Sequence, residues 1–134
     1  MPAKNGTPPT PRPTDAELAI LSVLWERGPS TVRDVHQALS SSQDSGYTTV
    51  LKLLQIMTDK GLVQRDESQR AHVYSPRQSE RRTQRQLLAD LVDRAFGGSS
   101  ARLVLHALSD RPASSEELRH IRALLDQLEK GDAR

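Results

Sequence analysis

The sequence predicts a mainly helical protein: an N-terminal domain of three helices and a β-hairpin, then a C-terminal domain of three more helices. Three observations predict it. Apolar residues recur at helical spacing from Leu18 to Met57. The pattern then shortens to two brief strand-like runs between Leu62 and Tyr74, and helical spacing resumes after Pro76. A chain of 134 residues holds one domain or two small ones. Its aromatic residues are only Trp25, Tyr47, Tyr74 and Phe96, so packing by Leu, Val and Ile is expected rather than one large core.

Residues 1–13 contain five of the eight prolines and are expected to be a disordered tail, because Pro8-Pro9 and Pro11-Arg12-Pro13 suit neither helix nor sheet. The first helix follows Thr14, whose hydroxyl can cap free N–H groups while Glu17 reaches back. Leu18, Leu21, Leu24 and Trp25 are its expected buried face, and Gly28-Pro29 ends it. The second helix begins at Ser30 or Thr31 and buries Val32, Val35 and Leu39; residues 40–45 form a turn. The third occupies the stretch from Gly46 to Gly61. Val50, Leu53, Leu54 and Met57 make one apolar face, Gly61 stops the helix, and Lys60 suits the negative end of its dipole. The opposite face carries Thr48, Thr49, Lys52 and Gln55, whose hydroxyl, ammonium and amide groups can reach phosphates and base edges. Leu51 and Ile56 lie off the core face.

Leu62–Arg65 and His72–Tyr74 are expected strands of a hairpin with a charged tip, after which Pro76 is expected to block further pairing. Helix, helix, helix, strand, loop, strand over residues 14–76 is the order of a winged helix-turn-helix domain. In that arrangement Thr48, Thr49, Lys52 and Gln55 face the major groove of DNA. Tyr47, with Gln69 and Arg70 at the wing tip, serves backbone or flanking contacts.

Residues 77–134 form the second expected domain. Arg77, Arg81, Arg82 and Arg85 lead a helix whose stripe is Leu88, Leu91, Val92, Ala95 and Phe96, and Gly97-Gly98 breaks it. Ser99 or Ser100 starts another, with Leu103, Val104, Ala107 and Leu108 buried. Ser114-Ser115-Glu116-Glu117 is a second capping box, followed by Leu118, Ile121, Leu125 and Leu128 at the spacing of a helix-pairing seam. Some 58 residues form a marginal domain alone. A two-fold dimer would bury Leu88, Leu91, Val92, Phe96, Leu103, Leu108, Leu118, Ile121, Leu125 and Leu128.

Net charge is +2, with eight basic against eight acidic residues over 1–76 and eleven against nine over 77–134. DNA binding must therefore come from local placement of cations rather than bulk charge. The chain has no cysteine, which removes disulfides and thiolate metal sites and fits a reducing cytoplasm. Its first residues lack the apolar core of a signal peptide, and no apolar run approaches a membrane span, so membrane insertion is not expected. His36, His72, His106 and His120 are scattered, with no metal-ligand spacing, and there is no nucleophile elbow, phosphate loop or cofactor motif, so an enzyme is not expected. A protein-interaction adaptor and a non-specific architectural DNA-binding protein remain the alternatives to a sequence-specific regulator.

Over residues 14–130 the sequence resembles the BlaI/MecI group of bacterial repressors, the penicillinase-repressor family. The residues that carry the resemblance are Glu17, Leu18, Leu24-Trp25, Gly28-Pro29, Thr31-Val32-Arg33-Asp34-Val35, Tyr47-Thr48-Thr49-Val50-Leu51, Lys60-Gly61-Leu62-Val63, Arg70-Ala71 and Tyr74-Ser75-Pro76. The resemblance implies a cytoplasmic homodimer that represses transcription from a palindromic operator. It also implies a membrane metallopeptidase sensor that relieves repression by cutting within the dimerisation domain. The family's copper-responsive branch uses a cysteine cluster, which this chain lacks. Where the best-known members are cut between Asn and Phe of a Leu-Val-Leu-Asn-Phe run, this chain reads Leu103-Val104-Leu105-His106-Ala107.

Overall fold

The computed structural model describes residues 12–40 and 46–132. The expected proline-rich tail, apart from Arg12 and Pro13, and most of the expected turn after Leu39 lie outside the described residues. The elements are α1 (Asp15–Arg27), β1 (Ser30–Thr31), α2 (Val32–Leu39), α3 (Tyr47–Lys60), β2 (Val63–Asp66), β3 (Val73–Pro76), α4 (Glu80–Ala95), α5 (Ser100–Asp110) and α6 (Ser115–Asp132). The mainly helical winged helix-turn-helix expected of the N-terminal part is the fold observed.

Local chemistry sets most helix ends. Thr14 and Glu17 form a reciprocal capping box at the start of α1, and Thr31 and Asp34 do the same for α2. Gly61 closes α3 in the left-handed conformation, φ 85°, which a side chain would disfavour. In α1 the buried apolar residues are Ile20, Leu21, Val23 and Leu24, with Leu18 and Trp25 only half-buried, a correction to the expected face. The helix is apolar over more of its surface than one stripe. Val32, Val35 and Leu39 are buried as expected, and α3 adds Val50, Leu54 and Met57, while Leu53 is half-buried.

The sheet has three antiparallel strands in the order β1-β3-β2. Two details depart from the sequence reading. Ser30 and Thr31 pair with Tyr74 and Val73, so a two-residue strand precedes α2. Pro76 does not block pairing but sits opposite Val63 at the end of β3, where β1 no longer reaches, and Arg77 N–H donates to the Leu62 carbonyl at 3.0 Å. A missing N–H is harmless at such a position. Tyr74, in the central strand, is 1% exposed and closes the core under α1.

The chain divides into two compact units, Met1–Leu87 and Leu88–Arg134, with the division inside α4 rather than after Pro76. The first unit keeps residues 77–87 through the Arg77 bond, a 3.0 Å hydrogen bond from Trp25 Nε1 to the Gln78 carbonyl, and buried Thr83. Arg77 precedes α4 instead of leading it; the Ser79 hydroxyl accepts from Arg82 N–H at the helix start. In the second unit Ser99 caps α5, and Ser114 with Glu117 caps α6. Val92 is buried and the Phe96 and His106 rings lie 5.6 Å apart. The expectation that Leu103, Val104, Ala107 and Leu108 are buried fails for the single chain: Leu103 and Leu108 are half-buried, Val104 and Ala107 exposed. Leu118 and Ile121 are half-buried, whereas Leu88, Leu91, Leu125 and Leu128 are each about half exposed.

One polar contact joins the two ends of the N-terminal core. Glu17, 2% exposed, accepts hydrogen bonds from Lys60 Nζ at 2.7 and 2.9 Å, and its Oε1 also takes the Thr14 N–H at 2.9 Å. Burial pushes its carboxyl upward, but the Lys60 hydrogen bond, the Thr14 N–H and the Lys60 charge outweigh burial and hold the pKa below the ordinary value. The pair's contribution is therefore complete above the ordinary glutamate range and lost as pH falls through the depressed folded value. Lys60→Met, which strands the carboxylate, should cost about 3 kcal/mol at neutral pH. Glu17→Gln, which leaves a lysine free to reach water, should cost less. In urea titrations both penalties should shrink as the pH is lowered to about 3; pH-independent penalties would deny the pair this role.

Candidate nucleic-acid interface

Burial of one face of α3 fixes what the other presents. Val50, Leu54 and Met57 are 0% exposed, so Thr48, Thr49, Lys52 and Gln55 all point to solvent. Thr48, Lys52 and Gln55 share one row at i, i+4 and i+7, with Thr49 and half-exposed Ile56 on the adjoining row. A helix of 14 residues is about 21 Å long, and its width with side chains matches the major groove of B-DNA. At its start Gly46 makes no side-chain cap and the first turn carries no acid, so within the helix no carboxylate offsets the positive end of its dipole. Tyr47, 48% exposed, is placed by edge-on contact with His36 of α2, ring centroids 6.0 Å apart.

The wing tip spends its acids locally. Asp66 Oδ1 accepts from Ser68 N–H at 2.9 Å, a bond that lowers the Asp66 pKa, and Glu67 pairs with Arg65 at 2.7 Å. Arg65 stands opposite Tyr74 in the hairpin, and the neighbouring Tyr74 and Glu67 side chains raise its pKa. Gln69 and Arg70 are exposed, and Arg70 has no acidic partner among the described residues.

An open cleft of about 580 Å³ lies between α2, α3 and the wing, lined by Thr31, Val32, Arg33, Tyr47, Leu51, Arg70, Ala71, His72 and Tyr74. It brings together two of the expected contact residues, Tyr47 and Arg70; Thr48, Thr49, Lys52, Gln55 and Gln69 do not line it. Arg33 and His72 join the surface although sequence reasoning passed them over. Arg33 left a readable trace. A cation in the first turn of α2 opposes the helix dipole, a local cost that an external anion would offset. Among the described residues no cluster of three His, Asp or Glu side chains could hold a metal ion, and no helix is long and apolar enough to cross a membrane.

The sequence matches the family model "Penicillinase repressor" over residues 13–127. It is 36% identical over 118 residues to the transcriptional regulator BlaI of Mycobacterium tuberculosis, covering 87% of this chain and 85% of that protein. The chain belongs to the penicillinase-repressor family. The penicillinase repressor of Bacillus licheniformis is 24% identical over 117 residues, 87% of this chain and 91% of that one. Among solved structures, the DNA-binding domain of the repressor BlaI aligns with TM-score 0.49 at 26% identity, over 55% of this chain and 90% of that chain. The Bacillus licheniformis BlaI monomer in complex with the blaP half-operator aligns with TM-score 0.48 at 26% identity, over 54% and 88%. The penicillinase-repressor family consists of transcriptional repressors, not enzymes.

Proposed function

We propose that this protein is a sequence-specific, DNA-binding transcriptional repressor that acts in the cytoplasm as a homodimer on a palindromic operator. The observation that carries the reading is the outward polar face of α3, held by the buried Val50, Leu54 and Met57 opposite and flanked by a helix start without a side-chain cap and by a wing whose Arg70 has no acidic partner among the described residues. Thr48, Thr49, Lys52 and Gln55 read the groove, and Tyr47, Gln69 and Arg70 hold the backbone and flank. Membership of a repressor family supports the same reading.

Dimerisation falls to the second unit. Its helices leave Leu88, Leu91, Leu125 and Leu128 about half exposed and Phe96, Leu103, Leu108, Leu118 and Ile121 half-buried, while Val92 is covered within the chain. A second copy is the occupant that a symmetric operator supplies with a matching geometry.

With an operator selected from random duplexes, Arg70→Ala should weaken binding to all sequences alike and reduce the salt slope by about one unit. Lys52→Ala should weaken binding too. Thr48 or Gln55 substitutions should change the preferred base pairs at about 1–3 kcal/mol per contact. A chain truncated after Leu87 should be monomeric by light scattering and bind far more weakly, because linkage of two half-sites is lost. Unaltered affinity and preference in every one of these point variants would remove α3 and the wing as the interface.

A membrane metallopeptidase sensor is the proposed partner for release, but the bond between His106 and Ala107 is a poor target. It lies inside α5, whose residues run from Ser100 to Asp110, so cleavage requires local opening of the helix. Ala in place of Phe removes apolar contact worth about 1–3 kcal/mol from a pocket shaped for Phe. Mass spectrometry of the protein in its own host, after induction with cell-wall antibiotics, should show no fragment ending at His106; such a fragment would overturn this expectation.

A further inference from the structure

We propose that the cleft between the N-terminus of α2, the first turns of α3 and the wing binds a small organic anion with an apolar body, and that its occupancy excludes operator DNA. The inference rests on the repressor reading for its second half only. The cleft's volume, about 580 Å³, falls within the size range of small-molecule sites. Its charge is one-sided among the described residues: Arg33 and Arg70 line it, neither has an acidic partner, and none of the described lining residues is a carboxylate. The nearest acid in sequence, Asp34, is occupied by the Thr31 N–H at 3.1 Å.

The remaining wall decides the class of ligand. Val32, Leu51 and Ala71 contribute apolar surface beside the guanidinium groups. A DNA phosphodiester would use the cations and leave that surface without a partner. An anion carried on an aromatic or aliphatic body uses both, through charge-assisted hydrogen bonds to the arginines and burial of its apolar part. Tyr47 and Arg70 line the cleft and are also the proposed backbone and wing contacts, so one surface serves two competing anions. Release of the operator by a free ligand then needs no proteolysis.

The test uses the full chain and 2-naphthoate as probe, with 2-naphthalenemethanol as the neutral analogue and acetate at equal ionic strength as the anion without a large apolar body. In the DNA-free protein, 2-naphthoate should shift the backbone amide resonances of residues 31–33, 47–51 and 70–74 saturably, and neither control should. Arg33→Gln and Arg70→Gln, both exposed positions, should each weaken that binding about tenfold, the loss of one charge-assisted contact. Operator affinity of the unsubstituted protein should fall in proportion to 2-naphthoate occupancy. Absence of a saturable shift in these segments, equal shifts with the neutral analogue, or full occupancy with unchanged operator affinity would each overturn the proposal. Failure of the protein to bind any selected duplex would instead sink the repressor reading, and the naphthoate titration would still report on the cleft.

Discussion

Three side chains of α3 that reach no water, Val50, Leu54 and Met57, fix the rotation of that helix about its axis. Each is worth about 1.5–3 kcal/mol when fully buried, so a turn of even one residue's angle would expose apolar surface at a cost the small domain cannot absorb. Everything proposed for the outward face depends on this constraint. Gly61 ends the helix in a left-handed turn, and Lys60, one residue earlier, reaches across to the carboxylate of Glu17 at the start of α1. Helix position along its axis is thus set by an ion pair, and its rotation by packing.

Much of this was legible in the sequence because its causes are local. Thr14 with Glu17, Ser114 with Glu117 and Gly61 announce helix ends through chemistry that acts within four residues. The face of α3 follows from spacing alone. What could not be read acts at a distance or over too few residues. A two-residue strand at Ser30–Thr31 has no periodicity to detect, and its existence depends on Val73 and Tyr74 being beside it. Glu17 reads as a capping residue, which it is, but its second bond spans 43 positions of sequence. Pro76 reads as a strand breaker until its place at the end of β3, beyond β1, is known.

The surface proposed to meet DNA was legible in the same uneven way. The polar face of α3 and the exposed wing residues Gln69 and Arg70 follow from pattern, whereas the cleft that joins Arg33 to Arg70 exists only once α2 and the wing are folded together. The two units also differ in what their apolar residues do. In the first, a buried tyrosine, a methionine and eleven aliphatic side chains close a core. In the second, stripes of leucine remain half exposed, and the spacing that suggested buried faces instead marks surfaces that the described residues do not cover.

The central proposal is that α3 and the wing carry the contacts to DNA. Backbone amide shifts of the full chain, recorded as a duplex recovered by selection from random sequences is titrated in, test it most directly. The account predicts saturating changes centred on residues 46–56 and 67–72. Changes confined to α4, α5 and α6, with α3 and the wing silent, would contradict it.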